Sequence, residues 1–153
     1  MPLIDLPIKP DGCLVDVAIH VGEGRYQALL QAGLMPPQRF QGIGLIDPGA
    51  SNTVIDQSVV QFLGLQSIGV APTFTSTTGS IPHLCRLYDI SVWFPQAPTL
   101  VQSQPGAHPV HLTLPVSEAD FSASGFHALI GRDILARGVF IYNGLAGRFT
   151  LAF

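Results

Sequence analysis

The residues whose types and spacing could do chemistry lie in one stretch, Leu45-Ile46-Asp47-Pro48-Gly49-Ala50-Ser51-Asn52-Thr53-Val54-Ile55. Asp47 ends an apolar run, a tight turn of small and hydroxyl residues follows, and a second apolar run comes next. This layout predicts a carboxylate on a loop between two buried strands, in dry and rigid surroundings. Such a group can take a proton from water or give one to a carbonyl oxygen. It cannot do both at once, so Asp47 either closes a turn or works beside a second acid.

A second cluster, Ala128-Leu129-Ile130-Gly131-Arg132-Asp133, runs from a buried strand toward a short helix. From the residues alone, Arg132 reads as a surface arginine capping a helix start. Asp133 reads as a helix cap or an arginine partner, and His127 as a strand residue facing solvent. Cys13 and Cys85 match no metal-ligand spacing, and two cysteines make no disulfide framework. No metal and no cofactor is expected, and the default setting is reducing and cytoplasmic.

The elements that must position these groups are short. With 16 glycines and 13 prolines in 153 residues, long helices are hard to place, whereas short strands fit well. The expected class is all-β, with one or two short helices, in one domain over residues 1–153 with 1–11 as an N-terminal lead. Val15, Val17, Ile19 and Val21 recur with period two, which predicts a half-buried strand. Gly22-Glu23-Gly24 reads as a turn, and a short helical piece fits around Ala28 to Leu30. A strand over 40–46 delivers Asp47. After 52–55 the spacing predicts a helix capped by Asp56 and stopped by Gly64, with Val59, Phe62 and Leu63 on its packed face. Residues 74–94 read as a hairpin whose tip lies near Thr77 to Ser80. Residues 95–109 read as a loop, and Val110, Leu112, Leu114 and Val116 as a further strand. Asn143-Gly144 between apolar runs predicts a closing hairpin.

Composition removes several function classes. Hydrophobic residues make up 47% and charged residues 11%, which fits a folded chain with an apolar surface suited to a partner chain. A net charge of −3 without a basic cluster argues against nucleic acid. No apolar run approaches the ~18–20 residues that span a bilayer, so no membrane association is expected. The start, Met1-Pro2-Leu3-Ile4-Asp5, lacks the basic and apolar regions of a signal peptide.

Taken together, the Asp47 loop, the hairpin and the Ile130-Gly131-Arg132-Asp133 segment resemble the retropepsin-like aspartic peptidases. In that family an apolar-apolar-Asp-Thr-Gly-Ala-Ser/Asp loop is followed by a flap hairpin and then by an apolar-apolar-Gly-Arg-Asp/Asn segment. The resemblance covers roughly residues 12 to 153. It implies a closed acid-protease-type β-barrel with a flap hairpin, and a homodimer in which Asp47 of each copy meets on a two-fold axis. Two carboxylates about one hydrogen bond apart cannot both ionise, so they share a proton, and one activates water while the other protonates the carbonyl. The implied activity is hydrolysis of extended peptides, favoured below neutral pH.

The resemblance also assigns roles residue by residue. Gly49 allows a tight turn and close backbone approach, Ala50 leaves room for substrate, and Ser51 is placed to bond the outer carboxylate oxygen. Gly131, Arg132 and Asp133 are structural support, with Arg132 holding the loop or the dimer contact and not acting on substrate, and Thr77, Thr78 and Gly79 form the flap tip over the peptide. The chain departs from the family pattern at Pro48, which replaces a threonine whose hydroxyl bonds the opposing loop. Proline supplies neither that hydroxyl nor an N–H. The departure raises an alternative expectation, a dimer of the same fold that binds peptides or serves structure with little or no turnover.

Overall fold

The computed structural model describes residues 3–73, 80–95 and 111–153. The N-terminal lead contributes a strand, β1 (Leu3–Pro7), and β2 (Leu14–Val21) follows. Helix α1 (Glu23–Gln31) leads to β3 (Phe40–Ile46), which ends immediately before Asp47. β4 (Val54–Asp56) runs directly into α2 (Gln57–Leu63). β5 (Gly69–Thr73), β6 (His83–Trp93) and β7 (His111–Ala119) come next. β8 (Ala128–Ile130) and α3 (Arg132–Leu135) precede β9 (Val139–Asn143) and β10 (Arg148–Ala152).

Six strands close on themselves in the order β2-β3-β8-β4-β7-β6, and β6 pairs back to β2 to complete the barrel. β5 extends this sheet from the first half of β6, with Thr73 opposite His83 and Gly69 opposite Leu87. The barrel interior is filled by alternate residues from facing strands. Val15, Val17, Ile19 and Val21 of β2 meet Tyr88, Ile90 and Val92 of β6, Leu114 and Val116 of β7, and Ile130 of β8 in one buried cluster. Burying side chains of this size stabilises by about 1.5–3 kcal/mol each before conformational entropy is subtracted.

The second half of β2 departs from a half-buried strand, because Ala18 and His20 on its outer face are also buried. Its outer face is covered by α1 and the chain after it: the His20 ring lies edge-on to Tyr26, and Nε2 is 2.7 Å from the Pro37 carbonyl. Helix α1 starts at Glu23, where the glycines suggested a turn, and it buries no residue of its own. Without an inward stripe it leaves no periodic trace in the sequence.

Helix α2 is bounded as its sequence predicts. Asp56 accepts from the Ser58 amide at 2.8 Å, and Gly64 closes the helix in the left-handed region at φ 57°. Burial alone would push the Asp56 carboxyl up. Its bonds from Ser58 and from the Phe121 amide outweigh that and hold it below its usual 3.8. Val59 and Leu63 are buried, but Phe62 is 54% exposed and lies edge-on to Phe40 instead of joining the core.

A second, three-stranded sheet has the order β1-β10-β9. β10 is therefore hydrogen-bonded on both sides within the chain, to β1 (Ile4 opposite Leu151) and to β9 (Phe140 opposite Leu151). The β9–β10 connection is not a two-residue Asn-Gly turn. Asn143 ends β9 opposite Arg148, its Oδ1 accepts from Ala146 at 3.0 Å, and Gly147 makes the left-handed step at φ 63°.

Candidate active site

The position of Asp47 follows from strand pairing. β3 and β8 run parallel with Ile46 opposite Ile130, so Asp47 and Gly131 leave the barrel side by side. The Asp47 amide donates to the Ile130 carbonyl at 3.0 Å, carrying the pairing one residue past the strand. β4 lies antiparallel on the other side of β8, with Val54 opposite Leu129, which brings the returning chain at Asn52 and Thr53 to the same rim. One three-residue strand, β8, thus separates the two strands that flank the Asp47 loop.

The loop closes tightly on its own carboxylate. Asp47 Oδ1 accepts from the Gly49 amide at 2.8 Å, and the Ala50 amide donates to the Asp47 carbonyl at 3.1 Å. A Cβ on Gly49 would stand 3.0 Å from that Oδ1, so glycine serves close approach here and not a positive φ. Asp47 is half-buried, with Ile46 buried behind it and Pro48 and Gly49 exposed. The Pro48 carbonyl accepts from Arg132 Nη1 at 3.3 Å.

Beneath the loop lies a buried polar lock that the sequence reading did not include. Thr53 is fully buried; its hydroxyl donates to Asp133 Oδ1 at 2.7 Å and accepts from the Gly131 amide at 3.1 Å. Asp133 Oδ2 accepts from the Thr53 amide at 2.8 Å, and Oδ1 also takes the Ile134 amide at 2.9 Å. Asp133 therefore pairs with a threonine across the site and not with an arginine. The missing signal was phase: Thr53 lies two residues before the buried Ile55, so strand alternation puts its hydroxyl on the core face, where it must find partners.

Gly131 is the tightest point of the assembly. A Cβ there would lie 2.5 Å from the Asn52 carbonyl carbon and 2.9 Å from the Thr53 nitrogen. Arg132 reaches over the outside of the loop: its amide donates to Ala50 O at 2.9 Å, and Nη2 donates to Ser51 Oγ at 2.8 Å. Ser51 is thus engaged by Arg132 and not by the Asp47 carboxylate to which the resemblance assigned it. His127 does not face solvent. It is half-buried beside Phe40, its Nδ1 accepts from the Ile43 amide at 3.2 Å, and its backbone spans β3 and β4.

With this geometry in view, the comparisons with known proteins bear on the fold. No protein-family model matches the chain, and no curated protein matches it. Among solved structures it is similar to the crystal structure of a retropepsin-like aspartic protease from Rickettsia conorii, with a TM-score of 0.54 and 14% identity over 99% of this chain and 90% of that one. The fold is retropepsin-like. The expected closed β-barrel is therefore present. β5 and β6 pair antiparallel, so β6 supplies the second arm expected within 74–94, whereas the first arm is Gly69–Thr73, before that span.

Thr77, Thr78 and Gly79, expected at the hairpin tip, lie outside the described residues. Of the other expected site residues, Asp47 to Ser51 and Gly131 to Asp133 come together at one rim of the barrel. Cys13 and Cys85 are free thiols. Among the described residues no helix is long and apolar enough to cross a membrane, and no group of three or more His, Cys, Asp or Glu could hold a metal ion.

Proposed function

We propose that this chain is an aspartic endopeptidase of retropepsin type, one domain per copy, working as a homodimer on extended peptides. The observation that carries the reading is Asp47 itself: a carboxylate at a strand end, held by the Gly49 amide and seated beside Gly131 in a retropepsin-like barrel. One copy supplies one such acid, and hydrolysis of an amide needs a base and an acid together. A second copy related by two-fold symmetry supplies the other.

In the dimer, one Asp47 takes a proton from water as the oxygen attacks the scissile carbonyl carbon. The other Asp47 gives its proton to the carbonyl oxygen. The tetrahedral gem-diol then collapses and the C–N bond breaks: the protonated carboxyl gives its proton to the leaving amine while the other takes one from a gem-diol hydroxyl, which leaves a new carboxyl group and returns the pair to a singly protonated state. The β5–β6 hairpin supplies edges along which an extended peptide can add as a strand. Free Cys13 and Cys85 suit a reducing, cytoplasmic setting.

The test is peptide hydrolysis across pH by the parent chain and by Asp47→Asn, with oligomeric state measured by sedimentation. The expected outcome is cleavage by a dimeric parent, with at least a roughly thousandfold loss in the variant, since removing a general acid–base group costs on the order of 10²–10⁴ and both copies lose theirs. Equal cleavage by the two proteins would sink the assignment. Pro48 favours a second reading, a peptide-binding dimer without turnover, because the loop lacks a hydroxyl beside Asp47. Peptide binding by a dimeric parent that cleaves nothing at any pH would select it.

A further inference from the structure

The Arg132 guanidinium is a cation whose observed partners are all neutral. Nη1 donates to a backbone carbonyl, Pro48 O, at 3.3 Å, and Nη2 donates to a hydroxyl, Ser51 Oγ, at 2.8 Å. Among the described residues no carboxylate forms an ion pair with it. Asp133, its neighbour in sequence, turns inward and spends both oxygens on Thr53 and Ile134. Asp47 accepts from Gly49. The ion pair found among the described residues is elsewhere, Arg148 with Asp5 at 2.7 Å.

That other arginine shows what neutralisation looks like in this chain. Arg148 Nε donates to Asp5 Oδ2 at 2.9 Å and Nη2 to Asp5 O at 3.0 Å, and its hydrogen bond holds the Asp5 carboxyl below its usual range. Arg132 is also exposed, but no carboxylate pairs with it among the described residues. A guanidinium presents five N–H donors in a rigid fork shaped for a carboxylate. At Arg132 two of the five are engaged, and the remainder of the charge is free to a ligand.

Its location gives that free charge a use. Arg132 touches the first and the fourth residues after Asp47, so the guanidinium lies on the loop that carries the reacting carboxylate. An extended peptide advances about 3.3 Å per residue, so side chains one or two residues from a peptide bond placed at Asp47 fall within the span of the loop that this fork contacts. We infer that Arg132 is a specificity residue that selects peptides bearing a Glu or Asp side chain within about two residues of the bond presented to Asp47. This inference rests on the peptide-binding part of the proposed function, and it concerns the choice of peptide, whether or not the bond is then cut.

The probe is a set of eight-residue peptides, acetylated and amidated so that no chain-end carboxylate is present. Each carries a non-hydrolysable reduced bond at its centre, and a single Glu or its Gln counterpart is scanned through the two positions on either side. Binding is measured by isothermal titration at low and high salt, on the parent chain and on Ser51→Asp. The substitution sets a carboxylate where Arg132 now meets a hydroxyl. At one position or more, Glu should bind the parent about tenfold more tightly than Gln at low salt, with the advantage shrinking in high salt as exposed charges are screened. In Ser51→Asp the Glu/Gln ratio should fall to about one, because Arg132 is then paired within its own loop.

Equal binding of Glu and Gln peptides at every position overturns the inference. So does a Glu advantage that persists unchanged in Ser51→Asp, since another cation would then be its source. Hydrolysis of the same sequences with ordinary peptide bonds, by parent and Asp47→Asn, reports separately on catalysis. A Glu preference without cleavage keeps the role of Arg132 and removes the peptidase reading, whereas cleavage without preference does the reverse. Binding of no peptide at all overturns both.

Discussion

The Asp47 loop is tied to the turn after β8 at two levels, and the two ties are made of different materials. Below the loop, Thr53, Gly131 and Asp133 share bonds of 2.7–3.1 Å around a hydroxyl that is fully buried. Above it, Arg132 holds Pro48 and Ser51 with bonds of 2.8–3.3 Å at exposed positions. Distance alone hardly separates them, but the cost of breaking them differs. A buried donor or acceptor left unpaired costs about 1–3 kcal/mol, whereas water replaces the partners of an exposed one at little loss. The inner tie therefore sets where the backbone beside Asp47 runs. The outer tie leaves a cation whose partners can be exchanged, which is what a ligand contact requires.

The largest effect should come from Gly131, where the inner tie is also a steric contact. In Gly131→Ala the new carbon would overlap the backbone at Asn52 and Thr53, at 2.5–2.9 Å. Backbone cannot rotate away as a flexible side chain would. The expected loss is about 3 kcal/mol or more, read as a fall in thermal midpoint of roughly 6–12 °C. A midpoint within about 2 °C of the parent would mean that the two segments can part without cost. The inner level would then have no claim to be the rigid one.

This contrast also marks how far the sequence could be read. Elements that answer to neighbours in the chain were legible: the period-two face of β2, and α2 between its Asp56 cap and Gly64. The retropepsin-like barrel was legible as well, because its loop and its Gly-Arg-Asp segment are short and ordered. The inner tie was not, since Thr53 and Asp133 stand 80 residues apart and meet through the antiparallel pairing of β4 with β8. Helix α1 was hidden for another reason. It buries nothing, so its boundaries left no stripe of apolar residues to follow, and its first residues are glycine-rich. Asn143-Gly144 misled because the side chain of Asn143 closes a longer loop in place of a two-residue turn.

A smaller but cleaner test of the inner tie is Thr53→Val, which keeps the shape and removes the hydroxyl. The Gly131 amide then loses its acceptor, and Asp133 Oδ1 loses one donor while keeping Ile134. The expected loss is about 2 kcal/mol by chemical denaturation, with Thr53→Ser recovering most of it. If Ser and Val lost the same amount, the effect would belong to packing of the methyl group, and the hydrogen bonds would carry less than the comparison gives them.

The smallest effect should come from the outer tie, and its smallness is the informative part. In Arg132→Gln the side chain is shorter and uncharged, and the bonds to Pro48 O and Ser51 Oγ weaken or disappear. Both acceptors stand at exposed residues, so water can take the place of the guanidinium. Arg132 also has no ion pair to lose among the described residues. The backbone bond from the Arg132 amide to Ala50 O remains available, because any residue supplies that donor. The expected change in unfolding free energy is less than about 1 kcal/mol, with no change in the denaturant slope. A loss as large as that of Thr53→Val would make Arg132 a structural strut and fuse the two levels into one. A small loss leaves the loop held from below, with the charge above it free for what binds.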